Sequence, residues 1–266
     1  MDPAAVHVFI SLGGPLEEQG DHLRSGRGMP RRRRRRHPAA RLPAVLLLVA
    51  ASARTGAACD SLAVLPSATA EGLGGMYGKN ADRHYEEAQP VAALPRITHA
   101  KGEMITLDSG LVLPQVPLTY AHAGSRPNWA HPYGGYSEGV NEFGVGIGNE
   151  HFHSHSLHAT SAAPQAEFTD LTRLVLERCT TAAAAVELLT QLISKYGQTC
   201  KSCPTLANYN SAFMVADTTT IFSVLSVGHE WAWRELKDGD PDLGGSGVWI
   251  AVGETVILLT SPLHPY

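Results

Sequence analysis

Apolar and polar positions alternate with a period near two through much of the chain beyond residue 60, the signature of strands. Ser61 to Pro66 is a short apolar run of strand character. Met76 opens a second strand that runs into a polar knot, Lys79-Asn80-Ala81-Asp82-Arg83, and Ala70 to Gly75 between them reads as a hairpin turn. Residues 84–118 are spaced by prolines and alternate weakly, at Ile105-Thr106-Leu107 and at Leu111-Val112-Leu113, as strands joined by loops do. Tyr120 to His122 adds a further strand. Asn141 to Gly144 is a tight turn, after which Val145 and Ile147 alternate with glycines. That strand carries almost no side-chain volume on one face, so another backbone or a ligand can come close to it.

From Thr169 the period becomes helical. Leu171, Leu174, Val175 and Arg178 fit a helix capped by Thr169, with Asp170 in its first turn. A second helix runs from about Thr181 through Val186, Leu189, Leu192 and Ile193, and Gly197 stops it. The pair reads as an αα-hairpin that packs on a sheet. Asn210 to Val215, Thr220 to Ser226 and Trp231 to Trp233 then return to strands, with both tryptophans on one face. An apolar run from Val248 to Leu259 follows.

Length and composition change this picture little: 266 residues, 44% of them apolar, suffice for one large domain or two small ones. Charge changes it more. Residues 1–58 hold ten basic and four acidic side chains, which leaves 11 basic and 21 acidic beyond them. An acidic body of net charge −10 argues against nucleic acid as a partner, although Arg31 to Arg36 taken alone points to one. The arginines are followed at once by Leu42-Pro43-Ala44-Val45-Leu46-Leu47-Leu48-Val49-Ala50-Ala51. A positive region, about ten apolar residues and small residues near a cut site form a secretory signal. The run is too short for a stable membrane anchor. Residues 1–58 are therefore expected to be a disordered extension plus signal or propeptide, and 59–266 the domain of a protein in the secretory pathway.

The candidate chemistry begins where the leader ends. Cleavage is plausible after Ala53 or after Ala58, and only the second exposes Cys59 as a first residue with both a thiol and an α-amine. The amine, whose reference pKa is about 7.7, can take the proton from the thiol, so the pair is a minimal nucleophilic catalyst. A buried cysteine without a role is the alternative. Asn149, at the end of the glycine-rich strand, carries a neutral amide able to stabilise an oxyanion, or is a turn residue. Arg126, within Ser125-Arg126-Pro127-Asn128-Trp129, lies on a loop of the kind that lines a cleft. His151, His153 and His155 would share one side of a strand as metal ligands do, but their Ser- and Ala-rich surroundings favour an exposed loop. Cys200-Lys201-Ser202-Cys203 is a single C-x-x-C, weak as a zinc site and able to close a local disulfide. No metal and no cofactor are expected.

Taken together these stretches resemble the secernin and dipeptidase A family of cysteine peptidases, within the amino-terminal-nucleophile hydrolases. The resemblance is carried by Cys59-Asp60-Ser61-Leu62, Gly78-Lys79-Asn80-Ala81-Asp82-Arg83, Gln115-Val116-Pro117-Leu118-Thr119-Tyr120, Ser125-Arg126-Pro127-Asn128-Trp129, Asn141-Glu142-Phe143-Gly144-Val145 and Gly148-Asn149-Glu150. It extends through Leu174 to Arg178, Tyr196-Gly197-Gln198 and Asn210 to Phe213. It implies an α+β fold, a four-layer αββα sandwich. It implies Cys59 as nucleophile, Asp82 as an acid beside it and Asn149 as an oxyanion-hole amide. Lys79, Asn80, Arg83 and Arg126 would support the site or bind substrate, Lys79 standing where relatives usually have arginine. The implied substrates are dipeptides or short peptides. A non-catalytic, secernin-like regulator of exocytosis is the alternative reading, and an inactive fragment is a third. The family usually continues further and supplies another asparagine after the Trp231–Trp233 strand, where this chain has Gly244-Gly245-Ser246-Gly247. The domain is accordingly expected to be incomplete at its C-terminal side.

Overall fold

A computed structural model describes residues 59–69, 74–81, 88–127, 134–152, 165–200 and 209–237, and the backbone of 248–252. The strands in chain order are β1 (Asp60–Val64), β2 (Met76–Asn80), β3 (Val91–Leu94), β4 (Ile97–Thr98), β5 (Met104–Thr106), β6 (Val112–Pro114), β7 (Leu118–Thr119) and β8 (His122–Ser125). They continue with β9 (Glu138–Asn141), β10 (Gly146–Phe152), β11 (Ala166–Glu167), β12 (Gln198–Thr199), β13 (Asn210–Ala216), β14 (Ile221–Val227), β15 (Glu230–Leu236) and β16 (Val248–Val252). Two helices, α1 (Phe168–Arg178) and α2 (Ala182–Tyr196), stand between β11 and β12.

The large sheet has seven antiparallel strands in the order β15-β14-β13-β10-β9-β8-β3, and a small sheet has the order β16-β1-β2. Strand parity gives the large sheet two distinct faces. On one, Ile147, Phe213, Val215 and Val224 meet Leu171, Leu174 and Val175 of α1 and Ala185, Leu189 and Ile193 of α2. On the other, Met214, Ala216, Ile221 and Leu236 meet Ala63, Leu65 and Tyr77 of the small sheet. The molecule is thus a helical layer on two stacked sheets. These are three of the four expected layers, and no helix covers the outer face of the small sheet among the described residues.

The αα-hairpin forms where the helical period predicts it, with its first boundary shifted by two residues. Glu167, not Thr169, is the N-cap of α1, because Asp170 closes a reciprocal capping box with it. The same Asp170 carboxylate accepts the backbone N–H groups of Asp108 and Ser109, fastening the β5–β6 hairpin to the helix. Thr181 caps α2 by accepting from Ala184 N, and Gly197 ends it at φ 73°. In that left-handed region glycine carries no Cβ penalty. The two tryptophans of β15 do share a face: Trp231 Nε1 donates to Ser194 Oγ of α2 at 2.7 Å, and Trp233 packs edge-on against Phe222.

The glycines of β10 act as the sequence pattern predicts. Gly146 and Gly148 lie on the face turned to the small sheet, and the Tyr77 ring occupies the space they leave. A Cβ on Gly148 would overlap the Tyr77 hydroxyl and come within 2.9 Å of Lys79 Cδ and 3.0 Å of Glu138 Cβ. Gly148→Ala is expected to destabilise the protein by about 1–3 kcal/mol through overpacking, read from the urea midpoint at unchanged m-value.

Candidate active site

Cys59 sits immediately before β1, the central strand of the small sheet, between β16 and β2. Its position in the alternation, with Ser61 and Ala63, is that of the face turned to the large sheet. Opposite Ser61 on β2 stands Lys79, and opposite Ala63 stands Tyr77. Cys59 is half-buried, whereas Ser61, Tyr77 and Lys79 are buried.

Two carboxylates of the large sheet close on this group. Lys79 Nζ donates to Glu138 Oε2 of β9 at 3.3 Å, with both side chains almost fully buried. Ser61 Oγ donates to Glu150 Oε1 of β10. Burial alone pulls the Lys79 pKa down, but Glu138, Glu150 and the thiol of Cys59 overcome it and hold the ammonium above its ordinary value. Lys79 is therefore a fixed cation at neutral pH and not a base. Burial pushes the Tyr77 phenol far up, so it stays protonated. Glu138 Oε1 finds no hydrogen-bond partner among the described residues. Ser61, Tyr77, Glu138 and Glu150 carried no assigned role in the sequence. The available signal was spacing: Ser61 is two residues past Cys59, and Glu150 is two past Gly148.

Of the residues expected at the site, Lys79 lies beside the nucleophile position. Asn80 is buried on β2 but alternates to the outer face of the small sheet, its Oδ1 without a partner among the described residues. Asp82 and Arg83 lie outside the described residues, as do Asn128, Trp129, His153, His155 and Cys203. Asn149, expected to serve an oxyanion near Cys59, is turned to the helical layer. It pairs with Phe213 in register and its Nδ2 donates to Tyr209 Oη at 2.9 Å. The physical reason is parity: Gly148 and Glu150 take the face toward the small sheet, so Asn149 takes the other. Arg126 likewise stands on the helix side, its guanidinium 5.7 Å from the centre of the Tyr136 ring. There it belongs to a second buried polar group, with His122 packed edge-on against Tyr136 and an Arg173–Glu177 ion pair at 2.6 Å. His151 stacks near Tyr209 at 4.9 Å between ring centres. Among the described residues no three His, Cys, Asp or Glu side chains are grouped to hold a metal ion. Cys200 is disulfide-bonded, while Cys59 and Cys179 are thiols.

No protein-family profile matches the chain. Among solved structures it is similar to penicillin V acylase from Agrobacterium tumefaciens, at 11% identity and a TM-score of 0.43, over 66% of this chain and 49% of that one. It is also similar to conjugated bile acid hydrolase from Clostridium perfringens in two variant structures. These give 15% and 16% identity and a TM-score of 0.43, over 69% and 68% of this chain and 52% of theirs. The chain thus spans about half the length of the solved structures it matches.

Two outcomes follow from the geometry. Burial raises the Cys179 thiol to about 12, so iodoacetamide at pH 8 should modify Cys59 in the native protein and leave Cys179 intact, as peptide mass spectrometry will read. Lys79→Met leaves the buried Glu138 carboxylate without its ammonium and should cost about 3–5 kcal/mol at neutral pH in urea unfolding. In the wild type the contribution of the Lys79 charge is present below its ordinary value of 10.5 and is lost only as the pH rises through its higher folded value.

Proposed function

We propose that the chain is an amide-bond hydrolase in which cleavage after Ala58 exposes Cys59 as an amino-terminal nucleophile, and that its substrates are dipeptides or short peptides. The observation that carries this reading is the position of Cys59. It directly precedes the central strand of the small sheet, on the face that holds the buried Lys79 cation, and the basic-then-apolar stretch before it, read as a secretory leader, supplies the cleavage the reading requires. A cation beside a thiol favours the thiolate, the attacking form. The amine of Cys59 takes the thiol proton, the thiolate adds to the amide carbonyl, and the protonated amine returns the proton to the leaving nitrogen. Water then attacks the thioester, with the amine again as base, and regenerates the thiol. Asp82, two residues beyond the end of β2, is the acid assigned beside the nucleophile, and Arg83 with Asn80 is assigned to substrate support. Asn149 and Arg126 are left out of this assignment, because their side chains serve the helical side of the large sheet. The dipeptidase specificity and the secretory location rest on the resemblance and on the leader.

The experiment is the mature amino terminus together with a thiol variant. Mass spectrometry is expected to find a chain that begins at Cys59, and Cys59→Ala should lower kcat/KM on a dipeptide amide by about 10⁴-fold or more. A chain that begins at Arg54 or Met1, or full activity without the thiol, refutes the reading. A folded protein with an exposed Cys59 and no turnover on any peptide favours the secernin-like regulator instead.

A further inference from the structure

Between the two sheets the contacts step along the strands two residues at a time. The Tyr77 ring lies at Gly146, the Tyr77 hydroxyl and the Lys79 stem lie at Gly148, and Ser61 bonds Glu150. The next residue on this face of β10 is Phe152, whose register partner is Asn210, the first residue of β13. The next position on this face of β1 is Cys59. One further step of about 7 Å beyond the Ser61–Glu150 bond thus reaches the thiol on one sheet and Asn210 on the other. Asn210 is 2% exposed. Its Nδ2 donates to Phe152 O at 3.3 Å, and its Oδ1 has no hydrogen-bond partner among the described residues. The amide cannot be turned round, because its oxygen would then face a carbonyl oxygen. What the side chain offers is therefore an acceptor. Ala212 and its register partner Leu225, on the same face, are partly exposed, while Met214 and Ser223, the next pair inward, are buried. The space between the sheets is open beside Asn210 and closed deeper in.

We propose that Asn210 is a substrate-binding residue whose Oδ1 accepts the N–H of the amide bond that Cys59 attacks. This deepens the functional reading above and rests on it. The peptide enters over Ala212 and Leu225, and its carbonyl carbon is held at the thiol. In a trans amide the N–H points away from the carbonyl oxygen, so it is free to meet an acceptor on the opposite sheet. A buried acceptor without a partner is costly, and the substrate N–H satisfies it. An ester of the same acyl group brings an oxygen there, which donates nothing. A site built to bind an N–H rejects the analogue that lacks it. Asn210 therefore makes the site select amides over esters.

The test compares the p-nitroanilide and the p-nitrophenyl ester of alanine as substrates of the mature chain. In Asn210→Leu, kcat/KM on the anilide is expected to fall about tenfold and on the ester less than about twofold. Asn210→Asp keeps an acceptor oxygen and loses the donor to Phe152 O, so it should retain at least the wild-type ratio of anilide to ester turnover. A role exercised only through the Phe152 bond would lower both substrates equally in both variants. Equal loss or no loss in a folded Asn210→Leu overturns the proposal, and so does a fallen ratio in Asn210→Asp. Failure of both variants to fold makes the residue structural and overturns it too. A wild-type chain that begins at Cys59 and turns over neither substrate removes the functional reading and this inference together. An active wild type with an unmoved ratio in Asn210→Leu keeps that reading and removes this inference alone.

Discussion

A buried ammonium ties the two stacked sheets together. Lys79 leaves β2, crosses the space opened by Gly148 and ends at Glu138 of the opposite sheet. Burying an ammonium or a carboxylate alone costs several kcal/mol, and the mutual attraction offsets that only where the geometry is tight. The fold meets that condition by leaving one strand face bare. Gly146 and Gly148 admit the Tyr77 ring and the Lys79 stem, and Ser61 supplies Glu150 with a donor from the strand that carries Cys59. The spacing of the sheets, the glycines and the charges are therefore one constraint.

That constraint also explains why the polar residues of β9 and β10 divide as they do. A strand between two layers must send alternate side chains in opposite directions. Gly148 and Glu150 go to the small sheet, while Ile147, Asn149 and His151 go to the helical side. A shift of one residue would put Ile147 into the charged group and Glu150 into the apolar core. Asn149 thus finds its hydrogen bond at Tyr209, whose ring stacks on Phe168 at the first turn of α1.

Much of this was legible in the sequence, and the limits have physical causes. The helical pair, the glycine strand, the turn at Asn141 and the shared face of Trp231 and Trp233 all rest on local spacing, which the chain displays directly. The start of α1 was misplaced because Thr169 is a good cap in isolation, whereas the reciprocal bonds of Glu167 and Asp170 cap better. Lys79 was identified at the site, but its partners were not. Glu138 and Glu150 lie 59 and 71 residues further along, and only the stacking of the sheets brings them near it. The face of Asn149 depended on which side of β10 the small sheet would cover, and Arg126 depended on the same choice at the end of β8, two strands away.

The position of Cys59 at the head of β1 has a consequence for reactivity that its exposure alone does not give. A terminal residue on an edge strand would be anchored on one side. β1 is flanked by β16 and β2, with register pairs from Asp60 through Val64 on both sides. Its head is therefore fixed to within the play of two hydrogen-bonded ladders, and Ser61 adds a third tether to the opposite sheet. Cys59 is the first residue beyond that rigid segment. Lys79 stands opposite Ser61 on β2, two residues along the strand from the thiol. The half-buried thiol is thus borne at the head of a strand held from both sides, on the face that also presents the buried Lys79 ammonium.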